Sequence, residues 1–379
     1  MHFVRAGRQH QGMATTANEP ERIAALDGVR GLAILLVLAM HSLWIGPGFG
    51  LGLDHPYARV AKLGWCGVDV FFVLSGFLIT GILVRSKGSE HYFRNFYVRR
   101  SLRIFPLYYL VVGLLLFAQA SREVPGSDVV AHLLYYQNFL YAFDYDNVDQ
   151  ALEVTWSLAI EEQFYLLWPA LVWLLSQTGL RALCVCVITG AIGLRLYLVW
   201  QGVERTHFLT PCRLDTLAAG ALLAVSPKPA AWFGWFTASL GVAGLLGTAL
   251  WCGKSLPFAP EMQQLGLVCT LSMGVGVLTL ARSSMLLQPV FGFAPLRSLG
   301  KYSYCIYLTH MLVIFWLLRD GVQLVGADLS GLAQRWTPVG CTVAFTLVVV
   351  VCSWLLALVS YHAFERWFLA LKRFFPSAG

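Results

Sequence analysis

Residues 26–44 read LDGVRGLAILLVLAMHSLW, an apolar run interrupted by Arg30 at its start and His41 well inside it. As a helix, eleven steps of about 100° make three turns plus about 20°, so the two side chains fall on nearly one face, about 16 Å apart along the axis. That rise is close to half the hydrocarbon thickness of a bilayer. Arg30 then stands near one mouth of a membrane span and His41 near mid-depth or beyond. An ionisable residue at that depth is costly and normally faces a bundle interior or a wet cavity. Taken singly, His41 could be an interhelical hydrogen bond that packs the bundle, and Arg30 could reach back to the headgroups.

The chain has 379 residues, of which 58% are hydrophobic and 12% charged. Soluble domains carry about 25% charged residues, so this composition excludes an ordinary soluble protein. Runs long enough to cross a bilayer fall near 29–46, 65–84, 104–119, 156–176, 181–200, 213–226, 232–252, 263–281, 302–319 and 338–360. The first run has no clear small-residue cleavage site after it and reads as a retained helix. An even count puts both termini on one side. The positive-inside rule makes that side cytoplasmic, because RSKGSEHYFRNFYVRRSLR (85–103) falls there and the acidic YAFDYDNVDQALE (141–153) falls opposite. The expected fold class is all-α: a polytopic integral membrane helix bundle of about ten transmembrane helices with both termini cytoplasmic. A single domain at 23–370 lies between a cytoplasmic tail at 1–22 and a second at 371–379.

The net charge of +7 gathers in no long basic block, so no nucleic-acid partner is expected. The nine cysteines show no zinc-like CxxC spacing, and most lie in apolar runs as small buried side chains. No metal is expected.

Other spans carry polar residues too. GWCGVDVFFVLSGFLITGIL holds Asp69, Ser75 and Thr80. TWSLAIEEQFYLLWP holds Trp156, Glu161 and Glu162, and adjacent helical residues point about 100° apart, so one carboxylate faces the bundle and the other a flank. PCRLDTLAAG places Arg213 and Asp215 at a span's outer end, where they could pair with each other at the interface. KYSYCIYLTH sets Tyr304, Tyr307 and His310 three apart, one stripe of a helix. Polar residues on five spans argue for an intramembrane cavity. Arg99, Arg100 and Arg103 share one short turn of YVRRSLRIFPLYYL; they serve topology and anionic lipid, or clamp a phosphate.

These segments together resemble the acyltransferase family 3 membrane proteins, bacterial multi-spanning O-acetyltransferases of cell-surface sugars and related hydroxyl acceptors. The resemblance runs from about residue 23 to 368. It is carried by LDGVRGLAILLVLAMH, GVDVFFVLSGFLIT, FYVRRSLRIFPLYYL, QNF at Gln137–Phe139, TWSLAIEEQFYLLWP, RLDTLAAGALLA, LGKYSYCIYLTH and the closing ERW. Trp367 departs from the proline that the family often has after Glu-Arg. The hydrolase-like domain appended to some members is not expected here, so a hand-off to such a domain would need a separate protein.

The resemblance implies acetyl-CoA as co-substrate from the cytoplasm, no permanently bound cofactor, and a carbohydrate or glycolipid acceptor. The protein is expected in the bacterial inner (cytoplasmic) membrane, in contact with the bilayer; its oligomeric state is not readable. Arg99, Arg100 and Arg103 would hold the donor's phosphates. His41 would act as general base, its ordinary pKa near 6.5 suiting that role. Glu161 or Glu162 would orient the imidazole or bind the acceptor, and Arg30 would mark the inner mouth. Asp69, Ser75, Asn138, Trp156, Arg213, Asp215, Tyr307 and His310 would line the cavity or meet the acceptor. Outer-loop residues including Asp144, Tyr145, Asp146 and Asp149 either suit sugar recognition or are simply the polar surface of an exposed loop. A proton-coupled secondary transporter and an acyltransferase using another acyl group such as succinyl are the competing readings.

Overall fold

The computed structural model describes residues 19–46, 51–52, 55–119, 126–144, 148–252, 265–321 and 337–376. Most of the first tail, together with Tyr145 and Asp146, lies outside them. Among the described residues every regular element is a helix. The long ones are α1 (Glu19–Ile45), α3 (Cys66–Ser86), α4 (Tyr92–Gln119), α8 (Thr155–Leu174), α9 (Gln177–Trp200), α11 (Ala231–Cys252) and α16 (Pro338–Ser360). Shorter helices sit between them: α2 (Pro56–Lys62), α5 (Gly126–Leu133), α6 (Gln137–Phe143), α7 (Gln150–Glu153), α10 (Leu214–Val225), α12 (Leu267–Ser283), α13 (Gln288–Phe291), α14 (Ala294–Lys301) and α15 (Ser303–Trp316). α17 (Arg366–Ala370) follows α16 after a wide π-helical turn at Tyr361–Glu365.

Six of the described helices are long and apolar enough to cross a membrane, and the pair Ala294–Lys301 and Ser303–Arg319, bent by 80°, makes a seventh if taken as one span. Each remaining expected span is also a helix, with a physical reason for falling short alone. α8 is long enough, but Glu161, Glu162 and Gln163 lower its hydropathy. α10 has 12 residues and α12 has 17. Most of α10 is buried, and a helix wrapped by protein need not match the lipid's thickness.

α1 runs through the middle, against α3, α12, α14, α15 and α16. α3 and α10 meet backbone to backbone through glycine: a Cβ on Gly76 would collide with the Leu217 carbonyl, and one on Gly220 with the Val73 carbonyl. Small residues at such crossings let membrane helices pack without a hydrophobic driving force.

Two buried ion pairs stitch the same region. Arg213, just before α10, pairs with Asp69 on α3. Arg195 on α9 pairs with Asp215 on α10, 3.0 Å away, and donates to the Cys212 carbonyl at 2.6 Å. All four side chains are buried. The alternative in which Arg213 pairs with Asp215 gives way to two pairings between helices. Residues two apart at a helix start point away from each other, so each finds its partner on a different neighbour.

Candidate active site

A cleft of about 770 Å³ lies between α1, α3, α4, α8 and α15. Arg30 reaches it from α1, Ser75 from α3, and Arg100 and Arg103 from α4. Glu161, Ser157 and Tyr165 reach it from α8, and Tyr304 and Tyr307 from α15. Its charged groups belong together. The Arg100 guanidinium lies over the Tyr165 ring, 5.4 Å from its centre, and Ser75 is hydrogen-bonded to the Tyr165 hydroxyl. Glu161 lies within electrostatic reach of Arg100 and Arg30. Arg30 also pairs with Asp27 one turn earlier, at 3.2 Å.

The two adjacent carboxylates separate as helical geometry demands. Glu161 lines the cleft, whereas Glu162 turns toward the tyrosine cluster of Tyr108, Tyr135 and Tyr304. Tyr135 in that cluster holds a left-handed backbone, φ 56°, and its ring stacks on Tyr108 at 4.3 Å.

His41 and His310 do not line the cleft. They meet each other beyond Tyr307. His310 Nε2 is 3.2 Å from His41 Nδ1, and the ring centres are 4.9 Å apart. His310 Nδ1 lies 2.6 Å from the Tyr307 carbonyl, which only accepts, so that nitrogen carries the proton and Nε2 is an acceptor. His41 Nδ1 then faces two acceptors, His310 Nε2 and the Val37 carbonyl at 3.1 Å, and must be the protonated nitrogen. The lone pair of His41 is left on Nε2. Neither Glu161 nor Glu162 is hydrogen-bonded to His41; the neighbour of its imidazole is His310, because α1 and α15 are packed together. Glu161, lining the cleft, stays with the other expected part, meeting the acceptor.

Tyr307 separates the two features. Its ring lines the cleft and its centre lies 5.8 Å from that of His310. Its hydroxyl shares a 2.6 Å hydrogen bond with Ser157.

The remaining sequence candidates serve the walls. Asp69, Arg213 and Asp215 are consumed in the buried ion pairs. Asn138 donates to the Phe208 carbonyl and to Thr210, both at 2.9 Å, and accepts from Gln163 at 2.9 Å, which fastens α6 and α8 to the turn before α10. Trp156 lies against Phe72 and under Arg213, 5.8 Å from the guanidinium. His207, in that same turn and outside the spans, is pushed down to about 3 by burial and by Arg213 and Arg205. Arg99 lines a second recess beside the cleft and is bonded to the carbonyls of Lys372 and Phe375. Sequence reading missed Arg195, Ser157 and Tyr165. Arg195 carried a signal, an arginine inside an apolar run; a serine and a tyrosine in a span carry little.

Three relatives bear on the identity. The chain is 30% identical over 336 residues to the peptidoglycan O-acetyltransferase OatA of Listeria monocytogenes, covering 79% of this chain and 50% of that protein. It is 30% identical over 382 residues to the putative peptidoglycan O-acetyltransferase YrhL of Bacillus subtilis, covering 91% and 54%. It is 30% identical over 334 residues to the O-acetyltransferase OatA of Staphylococcus aureus, covering 80% and 52%. The chain thus spans about half the length of these relatives. No solved structure matches it. The family model described as an acyltransferase domain matches residues 23–358, through both the cleft and the histidine pair, and the chain belongs to that acyltransferase family 3.

Proposed function

We propose that the chain is a multi-pass O-acetyltransferase that moves an acetyl group from cytoplasmic acetyl-CoA, across the membrane, to a sugar hydroxyl of the cell envelope. Peptidoglycan is the acceptor that the relatives' names favour, narrower than the surface polysaccharides expected from the sequence. In this reading residues 23–370 form one transmembrane domain of the cytoplasmic membrane, with both ends on the cytoplasmic side.

The observation that carries the reading is the His41–His310 pair. His41 Nε2 takes the proton of the acceptor hydroxyl. The oxygen attacks the thioester carbonyl, a tetrahedral intermediate forms, and the C–S bond breaks. The thiolate leaves and takes the proton back from His41. His310 accepts from His41 Nδ1 throughout and steadies the imidazolium, a positioning role. Arg100 and Arg103 bind the donor's phosphates, and its slender arm follows the cleft past Glu161 to Tyr307. A side-chain movement of Tyr307 then brings the thioester to His41.

The test is the purified chain in proteoliposomes with acetyl-labelled acetyl-CoA inside, a glycan acceptor outside and no ion gradient. Label appearing as an O-acetyl ester supports the proposal. A strict need for a proton gradient, with no ester formed, would favour the secondary carrier instead.

A further inference from the structure

Beside the cleft, on the far side of Arg100 and Arg103, opens a recess of about 630 Å³. One wall is the start of α4. The other is the chain's last described segment, Leu371–Phe374 and Phe375–Pro376, whose one helical turn folds back onto α4. Sequence reading expected a cytoplasmic tail there. Its described part, residues 371–376, is tied to α4. Arg99 Nη1 donates to the Lys372 carbonyl at 3.0 Å and to the Phe375 carbonyl at 2.8 Å. Asn95 donates to the Pro376 carbonyl at 2.9 Å, and Arg94 lies over the Phe375 ring at 5.8 Å. The Lys372 carbonyl already accepts from the Phe375 N–H at 3.1 Å and shares its second lone pair with Arg99, while both carbonyls lie at the negative end of the turn, which suits an arginine.

The docking has an electrostatic consequence. Arg99, Arg100, Arg103 and Lys372, all half-buried, surround one recess. Arg99 is spent on the segment's carbonyls. Glu365 acts on Arg103 and accepts from Ser360 at 2.9 Å, and Glu161 and Glu162 act on Arg100 from the cleft side, so four cations share three carboxylates. Like charges crowded away from bulk water repel, and a ligand bearing several negative charges offsets that cost. Arg100 and Arg103 line the recess and the cleft alike, so an anion held in the recess sits at the mouth of the cleft.

We propose that the docked segment 371–376 completes the donor site: Lys372 is a phosphate ligand beside Arg100 and Arg103, while Arg99 is a positioning residue that holds the segment in place. The inference rests on the acetyl-CoA reading above. The ligand chemistry is that of phosphate esters, which coenzyme A and anionic lipid headgroups share.

The experiment measures binding, apart from turnover, on the full chain in detergent. Coenzyme A affinity is determined for the native protein and for Lys372→Ala, Lys372→Gln, Arg99→Ala, Arg99→Lys and Arg103→Ala, alongside retention on phosphatidylglycerol vesicles. Both Lys372 variants weaken coenzyme A binding roughly tenfold, the loss of one charge-assisted contact. Arg99→Ala does the same and also raises hydrogen exchange in residues 371–376, which Lys372→Ala does not; Arg99→Lys recovers part of both. Unchanged affinity in the Lys372 variants, with Arg103→Ala impaired, overturns the inference and leaves the donor reading standing. Unchanged affinity in Arg103→Ala as well removes the donor reading itself. Lost vesicle binding with full coenzyme A affinity assigns Lys372 to lipid, and also overturns the inference.

Discussion

His310 Nε2 lies 3.2 Å from His41 Nδ1, and with the Val37 and Tyr307 carbonyls on either side this contact leaves the lone pair of His41 on Nε2. The proposed mechanism needs a partner that accepts from His41 Nδ1–H, and in this bundle a second imidazole is placed there. A neutral acceptor suits a site within the membrane, where an unpaired carboxylate would be costly.

Removing the base should therefore be far worse than removing its partner. His41→Ala is expected to lower acetyl transfer by about 100- to 10,000-fold, the usual contribution of a proton-transferring side chain. His310→Leu should cost less, and His310→Gln, which keeps an acceptor, less again. Ester formation in proteoliposomes measures all three; near-native activity in His41→Ala removes the mechanism.

The two neighbouring glutamates should behave differently. Glu161 faces the cleft and its basic residues, and Glu162 faces the tyrosines. Glu161→Gln is expected to impair transfer strongly, whereas Glu162→Gln impairs it less and chiefly alters thermal stability. Side-by-side kinetics and melting curves of the two variants check this, and equal kinetic losses would contradict the assignment.

Tyr307 stands between the cleft and the histidines, latched by Ser157. Tyr307→Phe keeps the ring and loses the latch. Hydrolysis of acetyl-CoA to acetate without an acceptor should rise in this variant, as the thioester reaches His41 and water too readily. Acetate release is the measurement, and a flat result argues against a barrier at Tyr307.

Breaking a buried ion pair strands a charge. Asp69→Ala leaves Arg213 uncompensated, and the loss for a buried pair is typically about 3–5 kcal/mol. The double variant Asp69→Leu with Arg213→Met should recover much of it. Thermal unfolding in detergent reports both, and a double variant no better than the single would show that the pair's geometry matters more than its charge.

His207 gives a pH dependence with a clear sign. Its imidazole is held down to about 3 in the folded chain, against an ordinary value near 6.5. The unfolded chain binds that proton first as pH falls, so the stabilisation is present above pH 6.5 and fades between about 6.5 and 3. His207→Phe keeps the ring beside Phe208, 4.1 Å away, and should flatten this acid limb of the melting temperature.

Much of the site was legible because lipid makes polarity conspicuous. A histidine, an arginine or two carboxylates in an apolar run stand out, and helical spacing alone puts Arg30 and His41 on nearly one face of α1 and parts Glu161 from Glu162. Arg195 could have been found by the same signal. What spacing along one helix cannot give is the partner on another. Asp69 with Arg213, Arg195 with Asp215 and His41 with His310 are separated by 144, 20 and 269 residues, and each pairing depends on which helices pack side by side.

The chain alone carried the all-helical membrane class, the family and the inventory of ionisable groups, since these follow from hydropathy, period and residue type. Packing alone turned that inventory into parts: a cleft for Glu161, a tyrosine nest for Glu162, ion pairs for the aspartates, and a second histidine to hold the first. The reason is that a buried polar group must find its partner in three dimensions, and helix neighbours are set by backbone contacts such as Gly76 and Gly220 rather than by any local pattern.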